Sequence, residues 1–383
     1  MRFRTASPLL ATVLAVAAVG LCVAGFVVVR SPEAPGSPEG RAPAPSTTPV
    51  APASGSATAT PAPSASSAPA ERPYYDVEAT TIDEQRAALF VNMARELDLA
   101  DAVIEKLRKI FEGSKWLGQG NPKVTEHPMT RAECRTLRRS AELEDEQFPE
   151  CGAVNMAPIY PHDRGRESAD RCIDRYEFPN IACEYPVVWV KADEASMLCR
   201  ALGKRLCDAH EWEGACAGDL LPVEKEYDFA KARLGMSYFH NQDRRVTWAY
   251  GPTKDHALCA AGSRKSKNCA ASGYQCGSNT YPAGAFLRCK SAFGVYDLHG
   301  NAAEHMNLPL KPEELASRGG LGVTEMKGSW FIFQSYEAHI DDCRWRAPSW
   351  HESRVDDPES HRNYHLGFRC CKDIRRDPTP REH

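Results

Sequence analysis

The sequence predicts an α+β fold with much irregular structure, and three observations carry that expectation. Apolar residues recur at helical spacing in an early region, between about Tyr74 and Ala153, and the later part is built of short apolar runs separated by Gly-, Asn- and Cys-containing loops. No repeat period and no regular alternation of strand and helix is present. Beyond Cys22, the remaining fourteen cysteines form an even set spread from Cys134 to Cys371, a density that persists as disulfides only in an oxidising compartment.

Bulk properties narrow the function classes. A chain of 383 residues allows two domains, and 42% hydrophobic content suffices for a sizeable core. A net charge of -4 argues against broad phosphate recognition, which needs a positive excess on one face, so no nucleic-acid partner is expected.

The first segment, 1–30, contains the uncharged run Pro8 to Val29, long enough to cross a bilayer core of about 30 Å. Arg2 and Arg4 precede the run and Arg30 alone closes it, which favours a single membrane anchor with the rest of the chain extracytoplasmic, periplasmic or at the cell surface. A cleaved signal peptide is the competing reading; lipidation at Cys22 is weaker, because Leu21 stands where a small residue is required. Residues 31–72, almost all Pro, Ala, Ser, Thr and Gly, cannot bury apolar area and read as a disordered stalk.

Residues 73–155 read as a helical extension. Thr81 to Glu84, TIDE, fits a capping box, followed by Leu89, Phe90, Met93 and Leu97 along one face. A second helix carries Val103, Leu107, Ile110 and Phe111, with Glu105 and Lys109 paired outside and Gly113 as a stop. TRAE at Thr130 to Glu133 caps a third, and Cys134 and Cys151 suggest a local bridge. From 156 to 372, Tyr185 to Val190 and SWFIF at Ser329 to Phe333 read as strands, Asp193 to Leu202 and the HEWEGACAG stretch as helices, and LGFRCC as a further strand; 373–383 is a polar tail.

Standard catalytic loops are missing: there is no G-x-G-x-x-G after a strand, no Walker-type lysine loop and no G-x-S-x-G elbow. HEWEG at His210 begins like a zinc-protease helix, but Gly214 stands where the second histidine is needed, leaving a helix whose Trp212 packs inward. Cys259, Cys269, Cys276 and Cys289 lack short zinc-knuckle spacings and are expected to pin a long loop as disulfides.

The succession CIDRYEFPN (Cys172 to Asn180), DEASMLCRALGKRLCDAHEWEGACAG (Asp193 to Gly218), GVYDLHGNAAEH (Gly294 to His305), KGSW (Lys327 to Trp330) and GFRCC (Gly367 to Cys371) resembles the sulfatase-modifying-factor family, which includes the formylglycine-generating enzyme. The resemblance implies a variant of the C-type-lectin fold over the 156–372 region. It also implies a disulfide between Cys199 and Cys370. Cys216 matches half of a second family bridge whose partner position is Ala347 here, with Cys343 a nearby substitute. Asp297 and Glu304, with the Gly300 and Ala302 carbonyls, match a family calcium site, and two carboxylates beside backbone oxygens suit a hard cation. The alternative is a tight turn with Glu304 solvated.

Formylglycine-generating enzymes hold copper(I) on two cysteines of a Gly-Ser-aromatic-x-Cys-x4-Cys pattern. Aligned on Gly328 and Ser329, those positions are Ile332 and Glu337, whereas Ser329 and Tyr336 match; copper(I) selects soft thiolates, so formylglycine generation is not expected. Three readings follow. The first is a copper-free member that binds a protein or small polar ligand at a cleft drawn from Ser329, Tyr336, His339, Asp341, Asp342, Arg344, Trp345 and Arg346. The second is an iron-dependent oxidoreductase using His339 with Asp341 or a remote histidine. The third is a structural component of an envelope assembly.

Overall fold

The computed structural model describes residues 78–269, 273–315, 322–348 and 352–374. Every described residue belongs to one compact unit, Ala70–His383. The expected anchor and stalk therefore lie outside the described residues, and among the described ones no helix is long and apolar enough to cross a membrane.

Three helices open the described chain: α1 (Ile82–Glu96), α2 (Asp101–Glu112) and α3 (Arg131–Ser140). Thr81 and Thr130 each accept from the backbone N–H three residues on, and Glu84 and Glu133 reach back, so both capping boxes form. The stripe Leu89, Phe90, Met93, Leu97, Leu107 and Phe111 shares one core with Val187, Val190, Leu198 and Phe368. Beneath it Glu184 accepts from Asn92 (2.7 Å), Gln119 (2.7 Å) and Arg131 (2.6 Å). The helical extension is thus packed and hydrogen-bonded into the body that follows it.

That body has two four-stranded sheets. The first contains β1 (Met156–Ile159), β2 (Arg171–Asp174), β3 (Arg205–Leu206) and β8 (Cys370–Asp373), in the order β1-β2-β8-β3. The second, ordered β6-β5-β4-β7, holds β4 (Ala303–Leu308), β5 (Val323–Lys327), β6 (Ser353–Arg354) and β7 (Leu366–Phe368), with β4 antiparallel to β5 and parallel to β7. Helices α4 (Ala192–Ala201) and α5 (Ala209–Ala217) pack beside the sheets, and α6 (Val223–Glu226) and α7 (Arg233–Asp243) sit on a long connection between α5 and β4. Such mixed helix and sheet with many disulfides is the α+β class the sequence predicts.

Two expected strands are not strands. Tyr185 to Val190 makes only a single bridge, Val188 with Gly118, because Trp189 has a positive φ of 60° that breaks the pleat. Ser329 to Phe333 is buried as expected but folds into successive turns, with Phe333 N–H donating to Trp330 O and Tyr336 N–H to Ile332 O. Gly328 ends β5 at φ +73°, and a Cβ there would stand 2.9 Å from Leu298 O.

Seven disulfides use all fourteen head cysteines. Cys199–Cys370 is present, as is Cys216–Cys343. The suggested Cys134–Cys151 bridge is replaced: Cys134 pairs with Cys183 and Cys151 with Cys172, because α3 docks on the loop after β2 while Cys151 lies beside β2 itself. Cys259–Cys289 and Cys269–Cys276 pin the long loop before β4.

Candidate functional site

The turns after β5 and the segment Asp341 to Ala347 bring the expected cleft residues to one end of the second sheet. Asp341 is their buried hub. It accepts from Ser329 Oγ (2.8 Å) and Trp248 Nε1 (3.1 Å), and His256 Nε2 lies 3.2 Å from Oδ2. Ser329 Oγ in turn accepts from Gly300 N–H (2.9 Å). Burial pushes the Asp341 carboxyl up, but the hydrogen bonds and charges of His256 and His299 outweigh it and hold it well below the usual carboxylate range.

Three residues expected on an open rim lie inside the protein. Asp342 pairs with Arg244 at 2.7 Å, Arg344 donates a hydrogen bond to Glu226, and Arg346 pairs with Glu213 at 3.1 Å. Lys327 reaches Glu213 at 2.6 Å, and the Arg346 guanidinium lies over the Tyr227 ring. His240 and Asn241 of α7 bind the backbone oxygens of Arg344 and Arg346. The connection carrying α6 and α7 is long enough to fold back over this segment and supplies Glu226, Arg244 and these caps. Each of those side chains is therefore engaged inside the protein.

What faces solvent is the stretch between the turns and Asp341. Tyr336 is 58% and Ile340 54% exposed. His339 turns inward and stacks on Trp345, with ring centroids 4.6 Å apart and planes 4° from parallel. The two positions that align with thiolates are unlike each other: Ile332 is buried, and Glu337 is on the surface, 2.8 Å from Lys254. With all fourteen head cysteines in disulfides, the described residues offer copper(I) no thiolate pair; the donor set does not fit that ion.

An iron site here would need histidines beside Asp341. The histidines whose ring nitrogens come within 4 Å of the Asp341 carboxylate are His256 and His299, whereas His339 Nδ1 lies 2.8 Å from Ile340 O. His299 Nε2 accepts from Ala249 N–H (3.0 Å), which engages that nitrogen's lone pair, and its Nδ1 faces Asp341 at 3.8 Å.

The implied calcium turn is a buried cluster of three carboxylates, Glu177, Asp297 and Glu304, around one guanidinium, Arg369. Glu304 is not solvated; it receives Arg369 (2.5 Å) and Trp212 Nε1 (2.7 Å). Glu177 accepts from Asn301 Nδ2 and Ala302 N–H. Asp297 Oδ2 accepts from Gly284 N–H (2.6 Å), but its buried Oδ1 has no hydrogen-bond partner among the described residues. Gly300 shapes the turn: at φ +77° its Cβ would meet Ala260 backbone at 2.7 Å. Burial raises Asp297 to about 6, and burial with the Asp297 and Glu304 charges holds Glu177 well above the ordinary range. Excess buried negative charge with an orphaned carboxylate oxygen is an arrangement that a hard cation relieves.

A family model described as sulfatase-modifying factor enzyme 1-like domain matches residues 162–374, more than half of the chain. The chain belongs to this family. No curated protein matches it. A solved structure titled "Crystal Structure of CarF" aligns with 68% of this chain and 86% of its own at 14% identity, with a TM-score of 0.30. On the motif resemblance, Ser329 and Tyr336 are the matching positions, and Ile332 and Glu337 stand where the two thiolates are expected. Sequence reasoning missed His256, Trp248, Glu213, Glu226 and Arg369. Of these, Glu213 lay in the HEWEG stretch and Arg369 in GFRCC, where a lone cation among apolar and cysteine residues was the one visible signal.

Proposed function

We propose that this protein is a copper-free member of the family that binds a ligand or partner outside the cytoplasm rather than oxidising a cysteine. The observation that carries the reading is the pair Ile332 and Glu337, one sealed in the core and one ion-paired at the surface, in a head whose other thiols are all bonded. The seven disulfides are compatible with an extracytoplasmic address, and the apolar run from Pro8 to Val29 supports anchoring there. The ordered ionic interior formed by Asp342, Arg344 and Arg346 would hold Trp345 as part of a preformed recognition surface beside the Tyr336 to Ile340 stretch. Calcium at the Asp297 turn would serve as structural ballast for that surface.

The test is a copper(I) titration of the disulfide-intact full chain, with a cysteine-containing peptide as substrate. No stoichiometric uptake and no aldehyde product are expected, whereas the double variant Ile332→Cys/Glu337→Cys gains copper(I) binding. Turnover of the peptide by the unaltered chain would overturn the reading.

A further inference from the structure

Trp330, Phe333 and Trp345 stand around a single imidazole, that of His339. Its ring is coplanar with Trp345 at 4.6 Å, tilted 54° to Phe333 at 5.1 Å and 47° to Trp330 at 5.6 Å. The box walls are fixed from behind: Trp330 stacks on His365 at 4.3 Å, Phe333 meets His256 edge-on at 5.3 Å, and Trp345 O accepts from Lys327 Nζ at 2.6 Å. The walls are buried, but the stretch that delivers His339 is not. Gln334 to Ala338 and Ile340 are all exposed, and His339 alone is half-buried. The stretch is tied by Gln334 N–H to Ala261 O (3.0 Å) and, at Glu337, by Lys254 at 2.8 Å and His256 Nδ1 at 3.5 Å, ion pairs on a surface carboxylate of the kind that contributes little.

Rigid walls with a removable occupant describe a binding site closed by its own side chain. We propose that the Trp330, Phe333 and Trp345 box receives an alkylammonium group, and that His339 is the plug which this group displaces. The proposal rests on the binding reading above and names the ligand class for the same cleft. Aromatic faces attract cations through their quadrupole, most strongly where water is excluded, and three such faces converge here. The adjoining charge has the matching sign: the Asp341 carboxylate acts on the His339 ring, and its bonds to Ser329 and Trp248 keep it in place. Burial meanwhile disfavours protonation of His339, so the resident ring makes little use of either attraction. A permanent cation uses both.

The test follows tryptophan fluorescence of the full chain titrated with choline and with its neutral isostere 3,3-dimethylbutan-1-ol. Choline is expected to bind and the alcohol not. His339→Ala is expected to tighten choline about tenfold, the equivalent of one aromatic stacking contact no longer competing. Trimethyllysine amide run in parallel separates the sources: tighter binding than choline points to a partner's side chain, and weaker binding to a free small molecule. Equal response to choline and the alcohol, or the same choline affinity with and without His339, would overturn the proposal. Failure here leaves the copper titration unaffected, so the two readings fall separately.

Discussion

Glu226 shows how one residue can set the pH response of the head. Burial and the neighbouring Glu213 charge raise its carboxyl to about 9, against the opposing pull of Arg344 and Arg346. An unfolded glutamate releases its proton near 4.5, so the folded state binds the proton more tightly. The stability Glu226 contributes is complete below that value and is lost as pH climbs towards about 9. Glu226→Gln keeps the shape of the protonated acid and has no proton to lose. Urea unfolding at pH 5, 7 and 9 should show the variant gaining on the native chain with pH, by several kcal/mol in order of magnitude across the window. A constant difference would show that Glu226 is ionised throughout. None of this was legible in the sequence, where Glu226 is one acidic residue among charged neighbours. What was legible at this scale was chemical identity, as with Ile332 in a thiolate position.

Among the elements, helices were the most readable because their signals are local. Thr81 and Glu84 announce α1 in four letters, and the same logic holds at Thr130. Removing the Thr81 hydroxyl by Thr81→Ala should cost about 1 kcal/mol, seen as a lower urea midpoint with unchanged slope. An unchanged midpoint would mean that α1 is held by its packing alone. Strand signals failed where the chain needed turns: Ser329 to Phe333 has the composition of a strand, but Gly328 and the hydrogen bonds to Trp330 O and Ile332 O curl it. Helices α6 and α7 went unread because their capping residues, Pro222 and Ala232, make no side-chain cap. With them went the inward orientation of Arg344 and Arg346, since a residue's partners cannot be seen when the element bearing them is not.

At the scale of the whole molecule, the family motifs made the fold readable while charge balance stayed hidden. Glu177, Asp297, Glu304 and Arg369 are scattered over the sequence and meet only in the folded head. If calcium neutralises that cluster, millimolar Ca2+ should raise the melting temperature of the native chain by several degrees, and chelation should reverse the gain. Asp297→Asn should abolish the response; a response that survives in the variant would place the ion elsewhere. The sheet order carries one more consequence. Strand β8 lies between β2 and β3, and its adjacent Cys370 and Cys371 bond to Cys199 and Cys207, separated from them by 171 and 164 residues. A ribosome delivers β8 after every other described strand, so its two longest-range bonds close only when nearly all of the described chain has been made. During that interval Cys199 and Cys207 are available to wrong partners. Oxidative folding of this protein should therefore depend on a catalyst that reshuffles mispaired thiols, and not merely on one that oxidises them.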